Sequence, residues 1–342
     1  MVERLPVHYT ETGSLDPCYN LALEQYLLEN RREGDWLLLW QNANTVVVGL
    51  NQNTEEEINR DFVQVHGITV VRRMTGGGAV YHDLGNLNYS FITDTGDVES
   101  LSIQRFTEPV CRALRSFGLE AETSGRNDIL VRGKKVSGVA QRIVGNRILH
   151  HGTLLFDSDP DMIAGALKTD PEKFRSKSVK SVRSRIGNLR DMLPESITLP
   201  EFKMRILSEL TRQGLTYETL QEAELAEINR LAEEKYRSPE WTYGRNPDYS
   251  YRNRRRFPGG TLEVRMDVQK GTIRDLVFFG DFMATAPMTE LTAKLCGTPL
   301  KKELLREKLA GAELSAMFGE ITERELLALI LDEKDSSGSF EA

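Results

Sequence analysis

Apolar residues recur along this chain with two alternating periods. Pro17 to Asn30 carries Leu21, Leu23, Tyr26, Leu27 and Leu28 on a helical repeat, with Asp16 placed to cap it. Trp36 to Trp40 and Thr45 to Val48 are short apolar runs separated by turn residues and predict strands. Asn59 to His66 reads as a helix, and Ile68 to Arg72 and Ala79 to Tyr81 as strands. Leu87 to Ile92 follows as a strand and Ile103 to Phe117 as a helix. Asp128 to Val131, Lys135 to Ser137 and His151 to Phe156 complete a strand-rich half. Helical patterns then cover Asp159 to Leu167, Leu199 to Gln213 and Thr219 to Tyr236, the last amphipathic. Residues 237–260 are rich in Pro, Gly, Asn and Arg without a period, and read as a linker. Beyond it, Thr261 to Val268 and Ile273 to Phe279 predict a strand–turn–strand unit. Helices follow at Thr289 to Leu295, Lys301 to Leu309 and Glu323 to Leu331.

This pattern predicts an α/β large domain with a mixed sheet over residues 1–246 and a linker over 247–256. A small α+β domain over 257–334 and a polar, disordered tail over 335–342 complete it. Composition changes the picture little: 39% of the 342 residues are apolar and 28% charged, as in an ordinary globular chain. The net charge of −7 argues against general nucleic-acid binding. Cys18, Cys111 and Cys296 form no CxxC, so neither a disulfide framework nor a Cys-rich zinc site is expected. No apolar run approaches the ~20 residues of a membrane span, and the N-terminus has no signal-peptide core. A cytoplasmic monomer is the expectation.

Chemistry concentrates in Arg72-Arg73-Met-Thr-Gly-Gly-Gly-Ala-Val-Tyr-His82-Asp83. Three glycines after a β-branched strand let the backbone approach a ligand closely, and paired guanidinium groups suit carboxylate or phosphate oxygens. The run matches neither GxxxxGK[ST] nor GxGxxG. A tight structural turn is the simpler reading of the glycines alone; the two arginines favour an anionic ligand. Gly133 to Gly138 adds two lysines, readable as solvated edge charges or as a reach for anionic oxygen. Strand alternation puts Lys135 and Ser137 on one face. It also sends His150 and His151 to opposite faces, so that they cannot easily share a metal. Asn127-Asp128 reads as a turn start or as a carboxylate for Mg²⁺ beside phosphates. Residues 168–185 hold seven Lys/Arg against two acidic residues, and Arg252, Arg254, Arg255 and Arg256 crowd the linker. Each is a solvated segment or a surface for anions.

Taken together, these motifs resemble the lipoate–protein ligase family in its long, two-domain form. RRMTGGGAVYHDLGN (72–86), SGRNDI (124–129), KVSG (135–138), HHGTLLFD (150–157), SVRSRIGNL (181–189) and PEWTYG (239–244) fall in the family's order. The resemblance implies a large domain folded like biotin protein ligases. It also implies a two-step reaction: ATP and lipoate give lipoyl-adenylate and pyrophosphate, then a lysine of an acceptor lipoyl domain takes the acyl group and AMP leaves. It places Lys135 between carboxylate and α-phosphate. Arg73, Lys135 and the backbone of Gly78, Ala79, Val80 and Tyr81 would contact ATP. Arg72, Gly76, Gly77, His82, Asn127, Lys135 and His151 would line the lipoate or lipoyl-adenylate site, and Asp128 would hold Mg²⁺. Implied substrates are lipoate or octanoate with ATP and Mg²⁺, without a tightly bound prosthetic group. Implied acceptors are lipoyl domains of 2-oxoacid dehydrogenase complexes or glycine cleavage H protein. Val46 to Val48 and Val80 are expected in the wall of an acyl tunnel, and 168–185 as a covering loop. Leu50 stands where the family often has Arg or Lys, and Thr75 where Ser is commoner. The alternatives are a Cys-dependent octanoyl- or lipoyl-transferase, a biotin ligase on the same fold, and a non-catalytic lipoate sensor.

Overall fold

The computed structural model describes residues 6–96, 102–125, 127–168, 185–243 and 251–332. They form two compact units. In the first, an eight-stranded mixed sheet runs β11-β1-β2-β6-β10-β9-β8-β7. Its strands are β1 (Val7–Thr10), β2 (Trp36–Trp40), β6 (Asn86–Asp94), β7 (Ala121–Ser124), β8 (Asp128–Val131), β9 (Lys134–Val144), β10 (Arg147–Leu155) and β11 (Leu215–Tyr217). A three-stranded sheet, β4-β3-β5, joins β3 (Thr45–Val48), β4 (Thr69–Arg72) and β5 (Val80–His82).

β2 shows why the large sheet is buried on both sides. Its sequence is apolar without a break, so alternation supplies two faces at once. Leu37 and Leu39 pack with Val110 and Leu114 of the helix Ile103–Ser116 and with Phe202 and Ile206 of Leu199–Leu210. Trp36, Leu38 and Trp40 pack with Leu21, Leu27 and Leu28 of the helix Pro17–Asn30. That first helix is capped as expected: the Asp16 carboxylate accepts from the Cys18 N–H at 3.0 Å.

The second unit holds residues 245–342 and, unexpectedly, two short pieces of the first half, Gly49–Asn53 and Thr75–Gly78. Its sheet is a meander of β12 (Tyr251–Phe257), β13 (Gly260–Gln269) and β14 (Thr272–Gly280), packed among the described residues with four helices, Thr289–Leu295, Lys302–Leu309, Leu314–Phe318 and Glu323–Leu331. The expected linker is thus corrected, for residues 251–257 are a strand paired along its whole length with β13. Tyr-Arg-Asn-Arg-Arg-Arg-Phe carries no apolar alternation because the inward Asn253 is satisfied by a hydrogen bond to the Leu329 carbonyl at 2.7 Å. A helix, Pro239–Tyr243, also occupies the same stretch. The tail, 333–342, lies outside the described residues.

His150 and His151 do face opposite ways. His150 is fully buried, stacks on Phe106 at 4.9 Å, and its Nδ1 accepts from Gln141 Nε2 at 3.1 Å. Burial first, then the neighbouring His151, pulls its pKa down to about 3. The unfolded chain therefore takes up the proton near pH 6.5 while the folded chain refuses it. The stability held above that pH is lost as pH falls towards 3. Denaturant titrations should show a loss of roughly 1.4 kcal/mol per pH unit from this histidine below about pH 6. A His150→Phe variant should show a slope shallower by one proton; an unchanged slope would refute the assignment.

Candidate active site

β4 ends at Arg72 and Arg73 follows it directly, and alternation separates their tasks. Arg73 is 6% exposed; its N–H donates to Val48 O at 3.0 Å and its Nη1 to Val47 O at 3.1 Å. Burial lowers its pKa to about 10, with Arg72 pressing the same way and Glu24 opposing, so it stays charged at neutral pH. Arg72 points to the helix Pro239–Tyr243: its Nε donates to Trp241 O and its Nη2 to Thr242 O, each at 2.8 Å.

The glycines divide as well. A Cβ on Gly76 would lie 2.9 Å from both Ala284 N and Phe282 O, and Gly77, at φ +85°, donates its N–H to Phe282 O at 3.2 Å. Within the second unit Gly76 is glycine because backbone meets backbone, and Gly77 because its φ lies in the left-handed region. A Cβ on Gly78 would have no atom within 4 Å, so this glycine is open in the way a ligand-facing residue requires. Thr75 is buried and its carbonyl accepts from Leu50 N at 2.8 Å. The Tyr81 hydroxyl is turned to Asn44 at 2.8 Å, leaving the backbone of Ala79 to Tyr81 as the part expected at a nucleotide.

Lys135 and Asp128 meet across β9 and β8, with Nζ 2.7 Å from Oδ1 and both side chains about one third exposed (36% and 33%). The strands do not alternate simply here. Ile129 pairs with Ser137 but Leu130 with Lys135, so a bulge absorbs Val136. The expected shared face of Lys135 and Ser137 is therefore corrected: Ser137 is fully buried, and Lys135 is re-aimed over Asp128. The ammonium lies over Gly138, where a Cβ would be 3.0 Å from Nζ. The Lys135 carbonyl accepts from Gly187 N at 3.0 Å, which ties the 181–189 motif to the lysine. Asn127 is occupied in holding the strand, its Nδ2 donating to Val139 O at 3.1 Å and its carbonyl accepting from Val139 N.

Between the first helix and the sheet lies a polar network that motif reading did not find. His151 Nδ1 donates to the Glu24 carboxylate at 3.0 and 3.1 Å. Ser90 Oγ donates to the same carboxylate at 2.5 Å and accepts from Trp40 Nε1 at 2.8 Å. His82 Nδ1 accepts from Asn42 Nδ2 at 3.1 Å, and Asn42 Oδ1 accepts from Asn20 Nδ2 at 2.9 Å. That chain sets the His82 tautomer and leaves Nε2–H buried without a protein partner. Burial, then Arg73 and His151, lowers the His82 pKa to about 3, so the ring is neutral. Arg142 on β9 likewise keeps Nε and Nη1 buried and unpartnered. Asn20 and Glu24, four residues apart on an apolar helix and both buried, were the available signal.

Of the expected tunnel wall, Val47 and Val80 pack in this cluster with Met74 and Leu149, while Val46 and Val48 pack on the other side with Tyr81 and Leu155. The covering loop at 168–185 falls outside the described residues except at its two ends. Among the described residues no three His, Cys, Asp or Glu gather as a metal cluster, and no helix is long and apolar enough to cross a membrane.

Comparisons with known proteins fit this geometry. Residues 16–211 match the Lipoyl protein ligase A/B catalytic domain and 246–330 the Bacterial lipoate protein ligase C-terminus. The chain is 41% identical to lipoate-protein ligase LplJ of Bacillus subtilis over 92% of its own length and 97% of that protein's. It is 42% identical to lipoate–protein ligase 1 of Staphylococcus aureus over the same shares. Plasmodium falciparum LipL1, solved in complex with lipoate, superposes with a TM-score of 0.78 at 25% identity, covering 96% of this chain and 99% of that one. A Thermoplasma acidophilum bi-partite ligase described with its E2 lipoyl domain gives 0.63 at 30% identity, covering 72% and 98%. A lipoate-protein ligase A bound with ATP gives 0.60 at 28%, covering 71% and 99%. With both family domains matched in order and relatives above 40% identity along nearly the whole sequence, the chain belongs to the lipoate–protein ligase family.

Proposed function

We propose that this chain joins lipoate to a lysine of an acceptor protein in two steps, at the site built around Lys135. The Lys135–Asp128 pair carries the reading. A compact ammonium, a third exposed and held at 2.7 Å by one carboxylate, can exchange that partner for substrate oxygens. In the first step a lipoate carboxylate oxygen attacks the α-phosphorus of ATP, and the bond to the bridging oxygen breaks to release pyrophosphate. Two anions must approach, so catalysis consists of neutralising and aligning them. Lys135 bridges carboxylate and α-phosphate, Arg73 supplies a fixed positive charge, and the N–H groups of Gly78 to Tyr81 meet phosphate oxygens. In the second step the acceptor ε-amine attacks the acyl carbon, AMP departs, and the proton passes to solvent. The relatives solved with lipoate, with ATP and alongside an E2 lipoyl domain support these substrate classes.

Asp128 suits a Mg²⁺ carried in on the nucleotide, because a single partly exposed carboxylate would be the sparse protein ligation that this ion takes beside phosphates. The metal would lessen phosphate charge; the described residues offer it no cluster. Arg72 is assigned to the frame and not to the acyl substrate, since its guanidinium is drawn to Trp241 and Thr242. His151, oriented by Glu24, and His82, with its bare Nε2–H, are assigned to the acyl end. The thiol-dependent alternative loses its nucleophile: burial raises Cys18 and Cys111 to about 11 and also raises Cys296. A sensor would not need Lys135 paired with Asp128.

Lys135→Ala should lower lipoate-dependent ATP–pyrophosphate exchange by roughly 100-fold or more, the cost of a lost electrostatic donor. Full exchange in that variant would sink the role, and no exchange in the wild type would sink ligation. Mass spectrometry of lipoyl domains incubated with ATP and lipoate tests the second step. Glu24→Gln, which keeps shape but removes the charge that orients His151, should raise the lipoate KM roughly tenfold and the ATP KM by less, since Arg73 stays charged at neutral pH. Equal KM values in variant and wild type would refute that orientation role.

A further inference from the structure

The peptide unit joining Arg72 to Arg73 is held at both ends. Its N–H donates to Val48 O at 3.0 Å, and its carbonyl accepts from the Trp241 indole Nε1 at 2.8 Å. A peptide unit is planar, so fixing both polar ends fixes the Arg73 Cα. Trp241 is itself constrained. The Lys235 ammonium sits 4.2 Å from its ring centroid and donates to Gln25 Oε1 at 2.7 Å. The Arg72 guanidinium closes the arrangement from the other side. It reaches the Trp241 and Thr242 carbonyls, which the short helix Pro239–Tyr243 cannot satisfy internally. Arg72 Nη2 also donates to Thr54 Oγ1 at 2.7 Å, and Thr54 Oγ1 donates to Thr242 O at 2.5 Å. Thr54 is fully buried, so its hydroxyl serves these two bonds and not solvent.

We propose that Thr54 and Trp241 are positioning residues for adenylate formation, acting through Arg72 to set the place of the Arg73 guanidinium. The inference rests on the assignment of Arg73 to the nucleotide. A buried guanidinium stabilises a transition state only where it points, and it has no water around it to make up for an error in aim. The members of this clamp lie on three separate segments, at 54, 72 and 241–242, and Arg72 is bonded to each of the others.

The test is lipoate-dependent ATP–pyrophosphate exchange with the full chain. Thr54→Val keeps the shape and removes the hydroxyl; Thr54→Ser keeps the hydroxyl; Trp241→Phe keeps the aromatic face and removes the Nε1–H. Thr54→Val and Trp241→Phe should each lower kcat roughly tenfold, the equivalent of about 1.4 kcal/mol, with the lipoate KM within about twofold. Thr54→Ser should restore kcat to within about twofold of wild type. Thermal midpoints measured on all three separate loss of aim from loss of fold, because Thr54→Ser and Thr54→Val should then differ in rate at matched folded fraction. Wild-type kcat in Thr54→Val and Trp241→Phe, together with an impaired Arg73→Ala, would overturn the clamp alone. Wild-type exchange in Arg73→Ala would overturn the assignment of Arg73 as well.

Discussion

Arg73 is taken almost wholly out of water, and a guanidinium buried without compensation is among the most costly arrangements a fold can hold. Much of the first unit can be understood as the answer to that cost. Two carbonyls of β3 accept from its backbone and side chain. The helix Pro17–Asn30 brings a carboxylate, Glu24, into the same interior, and its field acts to keep the guanidinium charged. Glu24 in turn needs donors of its own and takes them from Ser90 and His151. A buried charge thus propagates outward as a hydrogen-bond network, and the network fixes the ring of His151, one of those proposed to face the substrate. His82 is the other consequence. Burial first, then the cation beside it, holds this histidine neutral, so it can offer a hydrogen bond without adding a second positive charge.

The glycine run combines two constraints that look alike in sequence. Gly76 and Gly77 are fixed by close backbone contact with Phe282 and Ala284 inside the second unit, and Gly78 by openness. Three identical residues therefore answer to different pressures, and a single reading of them as a ligand cradle is incomplete. The first two bind part of the motif to the second unit's own architecture, together with Gly49–Asn53. Thr75 joins those two segments directly, through its carbonyl and the Leu50 N–H.

Much of the fold was legible because burial writes periodicity into sequence. Pro17–Asn30, Trp36–Trp40, Thr45–Val48, Thr289–Leu295 and Glu323–Leu331 are found at the predicted limits. What escaped was structure stabilised by something other than apolar alternation. β12 is inward-facing through Tyr251 and a hydrogen-bonded Asn253, so its pattern is polar on both faces. β9 runs to Val144 although only its first residues look like a strand, because Gly138 and the bulge at Val136 interrupt the period. The charged residues proposed for the site, Arg73, Asp128 and Lys135, stand in short motifs that sequence can display. Their partners do not. Glu24, Ser90, Asn42 and Trp241 lie far away in sequence and read as ordinary helix, strand or turn positions until the sheet order brings them in.

The two cations proposed for the site differ in a way that suits a two-step reaction. Arg73 is buried, braced through the backbone and desolvated, so its charge is present before, during and after nucleotide binding. Lys135 is partly exposed and paired with a single carboxylate on the neighbouring strand. An ammonium on four methylenes can leave Asp128, follow the carboxylate to the α-phosphate and return, at the modest cost of an exchange between oxygens. Asp128 gives that lysine a defined resting place when substrate is absent. Gly138 keeps the path clear, since any side chain there would press against Nζ and Cε. The bulge at Val136 is what makes this possible. Without the extra residue Lys135 would share a face with Ser137, which is buried beneath the sheet, and the ammonium could not stand over Asp128. A local irregularity in strand pairing, invisible to periodicity, therefore decides where the mobile charge of the site can go.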